Sequence, residues 1–362
     1  MAVTLPSIDI SFVQRATSLI ERSERGIAVL IVRDATKTTP DFYNYRTLAD
    51  VSPADFTADN YKYICDVYAL KQPYTLCVVR IGSSGTVADA VKIIETNIST
   101  GWVTIAGGTS EDFTALVAQA GTWEGQARTF KVIVHGITTA PDKKHVVDFV
   151  NETVTFADER GEVDGEQYLP SLLGLLAGSN VQSGVTYARC GNLVSASAIE
   201  DPDGEVGAGK FILLTDWDGV YVGVGVNSLT TTNGSTATED MKYIETVEAM
   251  DLIADDIRAE FRDNYVGKYK NSCDNQMLFI SAIREYLGQL AQDNILDPDF
   301  VNTVTVDVAA QRAAWVGSGT AEAVEWSDEQ VIHTPFKRTV FLAADIKILG
   351  SMEHLTFEIN MQ

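Results

Sequence analysis

Between residues 27 and 135, short β-branched apolar runs alternate with stretches of helical spacing, and few folds accommodate that order. "IAVLIV" (27–32), "TLCVVRI" (75–81), "WVTIA" (102–106) and "FKVIVH" (130–135) read as strands. Between them, "ADNYKYICDVYAL" and "VADAVKIIETNI" read as helices, the second with Val87, Val91, Ile94 and Ile98 on one face. Strand, helix and strand in repetition argue for βαβ units and a mainly parallel sheet covered by helices. The fold class is therefore α/β, with an α+β C-terminal part.

Length and charge bound the function. A chain of 362 residues, 45% hydrophobic and 21% charged, has room for about two domains. A net charge of −23 repels nucleic acid and anionic membrane, so direct binding to either is not expected. "MAVTLPSIDI" lacks the basic and apolar segments of a leader, so a chain made and kept in the cytoplasm is expected. Cys65, Cys77, Cys190 and Cys273 are scattered without C-x-x-C spacing, and His135, His145, His333 and His354 form no ligand motif. Neither a metal nor a disulfide framework is expected.

Three short motifs invite a ligand. "GEVGAGKF" (204–211) has P-loop spacing, but Phe211 replaces the Mg²⁺-binding hydroxyl. The next stretch, "FILLTDWDGVYVGVGVN", reads as a hairpin around Asp218-Gly219, not the helix whose N-terminus completes a phosphate site. "GSSG" (82–85) lies in a strand-to-helix turn, where dinucleotides bind in open α/β sheets, without the third glycine of the fingerprint. An enzyme with a ligand site at Gly82–Gly85 is thus the alternative reading. "DPDGE" (201–205) lacks the glutamate of a calcium loop and reads as a turn within the loop 195–209. No cofactor is expected.

Further along, "DFVNETVTFADERGEVDGEQY" reads as strand, turn and return, and "EQYLPSLLGLLAG" as a helix closing at Gly178. Thr236 and Glu239 have capping-box spacing. Ile244, Val247, Met250, Ala254, Ile257 and Phe261 then form an apolar stripe, with Glu245, Glu248, Asp255, Arg258 and Arg262 on the other face. A second helix presents Met277, Ile280, Ile283, Leu287 and Leu290. Residues 291–330 hold eight acidic side chains and one basic, Arg312, an acidic surface suited to water or to a partner.

Both ends of the chain alternate with period two. Ile8, Ile10 and Phe12 interleave with polar residues, as do Leu355, Phe357, Ile359 and Met361. A terminal strand of this kind can add to its own sheet or to a neighbour's, and the second option gives head-to-tail assembly. A polar connector, 13–25, comes after the first strand.

"RSERGIAVLIVRD", "GLLAGSNVQSGVTY", "GVGVNSLTT" and the run from "MKYIETVEAM" to "FISAIREYL" resemble contractile phage tail sheath proteins. The likeness is to the compact sheath group of prophages and phage-tail-like bacteriocins of Gram-positive bacteria. It implies a two-domain subunit that polymerises helically in six-fold rings around an inner tail tube protein, between a baseplate and a tail terminator. Contraction then drives the tube through a cell envelope, and the particle is a phage tail or a released bacteriocin. No peptidase chemistry is implied, and none is expected from the residues. The terminal strands become arms that cross to neighbouring subunits and complete a small sheet on the inward-facing domain. Expected divisions are 1–25 for the N-terminal arm and connector, 26–206 for an outer α/β domain, 207–349 for a tube-facing core, and 350–362 for the C-terminal arm. The first strand is assignable to either domain. Residues 313–337 match no pattern of the family, and Gly350 and His354 stand where it carries acidic residues.

Overall fold

A computed structural model of the chain describes residues 20, 25–36, 41–179, 181 and 183–359. The strand signals of the first half become Ile27–Arg33 (β1), Asp41–Tyr45 (β2), Thr75–Ile81 (β3), Thr100–Ile105 (β4), Thr129–His135 (β5) and Val146–Phe149 (β6). Ala58–Val67 (α1), Val87–Asn97 (α2) and Ser110–Gly125 (α3) lie between them. Each of these helices starts at a threonine. The hydroxyls of Thr57, Thr86 and Thr109 accept from the backbone N–H of Asn60, Asp89 and Asp112. Asp89 and Asp112 accept in return from the cap backbone, so two of the three starts are complete capping boxes.

Thr153–Phe156 (β7), Glu162–Asp164 (β8), Leu169–Ala177 (α4), Leu193–Ala196 (β9), Pro202–Gly207 (α5) and Lys210–Phe211 (β10) come next. The main sheet runs β10-β6-β5-β4-β1-β3-β2, parallel except for β2 at one edge. With β1 between β3 and β4, the chain changes its direction of winding after β3, as in doubly wound sheets of flavodoxin-like order. All seven residues of β3 are buried, as a strand covered on both faces requires. α4 packs on α1, β1, β4 and β5, and the approach depends on Gly174. A Cβ there would sit 1.7 Å from the carbonyl oxygen of Val67.

A small sheet, β8-β7-β9, and the hairpin of Leu213–Asp216 (β11) and Gly219–Val222 (β12) complete this region. Trp217 and Asp218 link the hairpin strands, and Gly219, at φ +130, opens the second one. The expected loop at 195–209 is shorter than its composition suggests. Pro202 occupies the first turn of α5 and Asp201 caps it, accepting from the Gly204 N–H at 3.1 Å.

The chain then forms Ile244–Glu260 (α6), a π-helical turn at Phe261–Tyr265, and Cys273–Gln292 (α7). Thr303–Val306 (β13), Val308–Gly317 (α8), Asp328–His333 (α9) and Leu342–Asp345 (β14) end the series, β13 and β14 pairing antiparallel. The described residues divide into two compact units, one of residue 20 with 256–347 and the other of 25–255 with 348–359. The sequence reading put these borders at 206/207 and 349/350. β10, just past residue 206, is an edge strand of the main sheet.

α6 departs from its expected pattern. Ala254 of the proposed apolar stripe is exposed, whereas Asp251 and Asp256 are buried. Thr236 and Glu239 form no capping box; Thr236 accepts from the Asn233 amide, and the Thr232 hydroxyl donates to Glu239. Asp256 accepts from the Tyr286 hydroxyl at 2.7 Å, and the reason for the burial of Asp251 is a cation in the sheet. Lys131 on β5 is 3% exposed, and its ammonium lies 2.7 Å from Asp251 and 3.1 Å from Glu248. Burial alone would lower the Lys131 pKa, but the two carboxylates outweigh it and raise it. Asp251 also faces His145 at 3.2 Å, and its own pKa is held low against burial. Lys131→Met strands two partly buried carboxylates without their cation. It should destabilise the fold by about 3 kcal/mol, read by chemical denaturation at pH 7.

Candidate functional site

The sequence marked three possible ligand sites and two arms. At "GEVGAGKF" the lysine is occupied: Lys210 Nζ lies 2.5 Å from Glu205 Oε2, and Lys210 is the register partner of Asp148 on β6. Gly209, at φ +75, is where the backbone passes Ser228; a Cβ there would lie 3.0 Å from Ser228 backbone atoms. Close packing, not phosphate, accounts for that glycine. Two carboxylates beside one lysine make a poor anion site. Burial pushes the Asp148 pKa up to about 6, against the hydrogen bond from the Ile137 N–H at 3.2 Å.

Beyond the carboxyl end of β1, where a doubly wound sheet would hold a ligand, the polar groups bind one another. The Arg33 guanidinium forms a two-point pair with Asp112 at 2.9 and 2.6 Å, and its Nε donates to the Gly85 carbonyl at 3.0 Å. That pair holds the Asp112 pKa at about 2. Asp34 accepts from the Thr36 N–H and hydroxyl, the Thr57 N–H and the Asn60 amide, all within 2.8 Å. Burial alone would raise its pKa, yet these bonds keep it well below the ordinary carboxylate range. "DPDGE" supplies the cap of α5. Among the described residues no cluster of three or more His, Cys, Asp or Glu is placed to hold a metal ion.

The arms remain. Ile8, Ile10, Phe12 and Met361 lie outside the described residues. Leu355, Phe357 and Ile359 are described, and they belong to no strand. They are 89%, 75% and 70% exposed, and Thr356 and Glu358 between them are exposed as well. Three large apolar side chains in a row of alternating polarity therefore face water.

Sequence reasoning did not find how this segment is held at its root. Glu245, in the first turn of α6, accepts from the Ser351 N–H at 2.7 Å and the Ser351 hydroxyl at 2.5 Å. The Thr186 hydroxyl donates to Glu353 at 2.6 Å. These partners are more than 100 residues apart in sequence and have no motif to announce them.

A sheet whose ligand crevice is filled by its own ion pairs, and a terminal segment that exposes its apolar face, define a structural protein built to associate. Residues 236–362 match the phage tail sheath C-terminal domain. The whole chain is similar to the tail sheath protein of Clostridium phage phiCD119, 26% identical over 371 residues and covering 99% of each. Its fold is that of solved sheaths. The anti-feeding prophage helical sheath in its contracted state superposes with a TM-score of 0.71 at 10% identity, over all of both chains. The sheath tail protein of Desulfitobacterium hafniense gives 0.67 at 13% identity, over 83% of this chain and 94% of that one. These likenesses, a sheath domain over the C-terminal third, a phage sheath protein along the whole chain and the fold of solved contractile sheaths, support a structural role in a contractile tail sheath.

Two substitutions test the reading of the P-loop-like stretch. Lys210→Ala should change stability by no more than about 0.5 kcal/mol, and isothermal titration with ATP should show no saturable binding before or after the change. Asp148→Asn should stabilise the protein above pH 6. The folded pKa is raised, so ionisation opposes folding as pH climbs from about 4 to about 6. The gain should approach about 3 kcal/mol at pH 7.5 and vanish below pH 4, read from denaturation midpoints across that range.

Proposed function

We propose that this subunit polymerises helically, in six-fold rings, by adding its terminal arms as strands to the sheets of neighbouring copies. The assembly surrounds an inner tail tube protein, is bounded by a baseplate and a tail terminator, and contracts to drive the tube through a cell envelope. It forms in the bacterial cytoplasm and works without nucleotide, metal or catalytic residues. The chain itself binds neither nucleic acid nor membrane. The observation that carries this reading is the exposure of Leu355, Phe357 and Ile359 on a segment with strand periodicity and no strand partner in its own described chain.

A receiving surface fits the reading. β13 and β14 pair only with each other among the described residues, so each has a side without a strand neighbour. Ala343 and Ala344 on β14 are exposed and leave room for incoming side chains. Burying a Leu, a Phe and an Ile contributes on the order of 5 kcal/mol per arm before the cost of ordering it, and the backbone ladder adds to this. We assign residues 1–12 and 350–362 to the arms and residues 13–25 to the connector that absorbs the dihedral change on contraction. The α/β sheet region moves as a rigid body meanwhile.

Electron microscopy of the purified full-length chain should show tubes or stacked rings; monodisperse monomers at high concentration would refute the proposal. Deleting residues 1–12, or introducing Phe357→Pro, should leave far-UV circular dichroism and the melting temperature unchanged. Tubes should disappear, because each change removes ladder hydrogen bonds made only between subunits.

A further inference from the structure

The sheath reading leaves one difficulty. A strand offered on a tether can pair in several registers, and a slip by one residue turns every apolar side chain to the wrong face. The residues that resolve it lie at the root of the arm, beside Gly350, where the family resemblance had led to the expectation of a carboxylate.

We propose that Gly184, Thr186 and Glu245 form a clip within the subunit that sets the register in which residues 354–359 are offered to a second copy of this chain. The inference rests on the proposed strand exchange and names the device that makes the exchange specific. The Glu245 carboxylate takes both donors of Ser351, its N–H at 2.7 Å and its hydroxyl at 2.5 Å, which fixes the rotation of that residue as well as its place. The Gly184 N–H donates to the same hydroxyl oxygen at 3.3 Å. A Cβ at 184 would lie 2.6 Å from Glu245 Oε2, so a larger residue there displaces that carboxylate from Ser351. Two residues on, Glu353 accepts from the Thr186 hydroxyl at 2.6 Å, and Thr186 is itself held by the Gly225 N–H at 3.0 Å.

The spacing carries the argument. Ser351 and Glu353 are two apart, so in an extended chain they point the same way, and Leu355, Phe357 and Ile359 continue the same parity. Fixing 351 and 353 on the subunit therefore fixes which way the three apolar side chains face when the arm pairs. The exposed stretch begins immediately beyond the clip: Glu353 is half-buried, and Leu355 is 89% exposed. A clip that sets phase also isolates the arm from changes in chain length upstream of Ser351.

That property separates it from a merely stabilising contact. One glycine inserted between Glu353 and His354 should abolish tube formation, because the apolar face inverts. One glycine inserted between Leu349 and Gly350 should be tolerated, with tube yield by sedimentation within about twofold of wild type, since the clip restores the phase. Equal effects of the two insertions, whether both harmless or both disabling, would overturn the proposal. Hydrogen exchange on the full-length chain gives an independent reading. The Ser351 amide should be protected, and Gly184→Ala should speed its exchange at least about tenfold without changing exchange in β3. A Ser351 amide that exchanges freely in the wild-type chain would also overturn the clip. Absence of tubes from the wild-type chain would instead refute strand exchange, leaving the exchange measurement to judge the clip.

Discussion

An ammonium group in the middle of a sheet is the constraint on which the geometry of the arm depends. Lys131 is 3% exposed on β5, and removing its charge from water costs several kcal/mol unless carboxylates stay close. Glu248 and Asp251 provide them, and Asp255 adds a third tie to the sheet region through Arg25 at 3.1 Å and Thr129 at 2.5 Å. α6 is thereby locked in rotation as well as position. Glu245 stands one turn before Glu248, so the same lock aims its carboxylate at the root of the C-terminal segment. Sheet, helix, clip and arm form one line of dependence.

That line explains what was legible in the sequence and what was not. The parallel sheet was readable because its evidence is local: "IAVLIV", "TLCVVRI" and "FKVIVH" became β1, β3 and β5 with borders displaced by a residue at most. The helix closing at Gly178 was readable for the same reason, as was the hairpin after residue 211. α6 was readable as a helix and misread as a surface. Glu245, Glu248 and Asp255 form a row of acids that periodicity assigns to solvent, because an acid without a visible partner belongs in water. Their partners are Lys131, Arg25 and Ser351, each more than 100 residues away in sequence, and no pattern in the helix itself reveals them. The two-residue strand β10, just past 206, was not legible for a similar reason, since it is too short to carry periodicity.

The candidate site divides in the same way. Alternation identified Leu355, Phe357 and Ile359 as one face of a strand, and the structure shows those side chains exposed and without a strand partner. Alternation alone cannot choose between pairing within a chain and pairing between chains, because both bury the same face. The motifs that suggested ligands failed on charge instead of spacing. Lys210 is neutralised by Glu205, and Arg33 by Asp112, so neither cradle has a cation to offer an anionic ligand. A glycine pattern states where backbone can pass closely; the surrounding charges decide what it passes.

Net charge sets the remaining condition on assembly. Copies carrying −23 repel one another over a Debye length of roughly 10 Å at 0.1 M salt, so a subunit whose terminal segment exposes an apolar face resists random association. Attraction between copies must then be short in range and strict in geometry. A backbone ladder has that character, because its hydrogen bonds form only at strand spacing and only in register. Under the strand-exchange reading, repulsion between acidic bodies and attraction between apolar strand faces act on different parts of the subunit. The bodies can change neighbours while the ladders persist, and the repulsion that delays premature association also favours a wider arrangement once the bodies are released. A sheath subunit needs both effects from one sequence. Placing most of the acids outside the arms and an apolar face on the C-terminal arm serves that division.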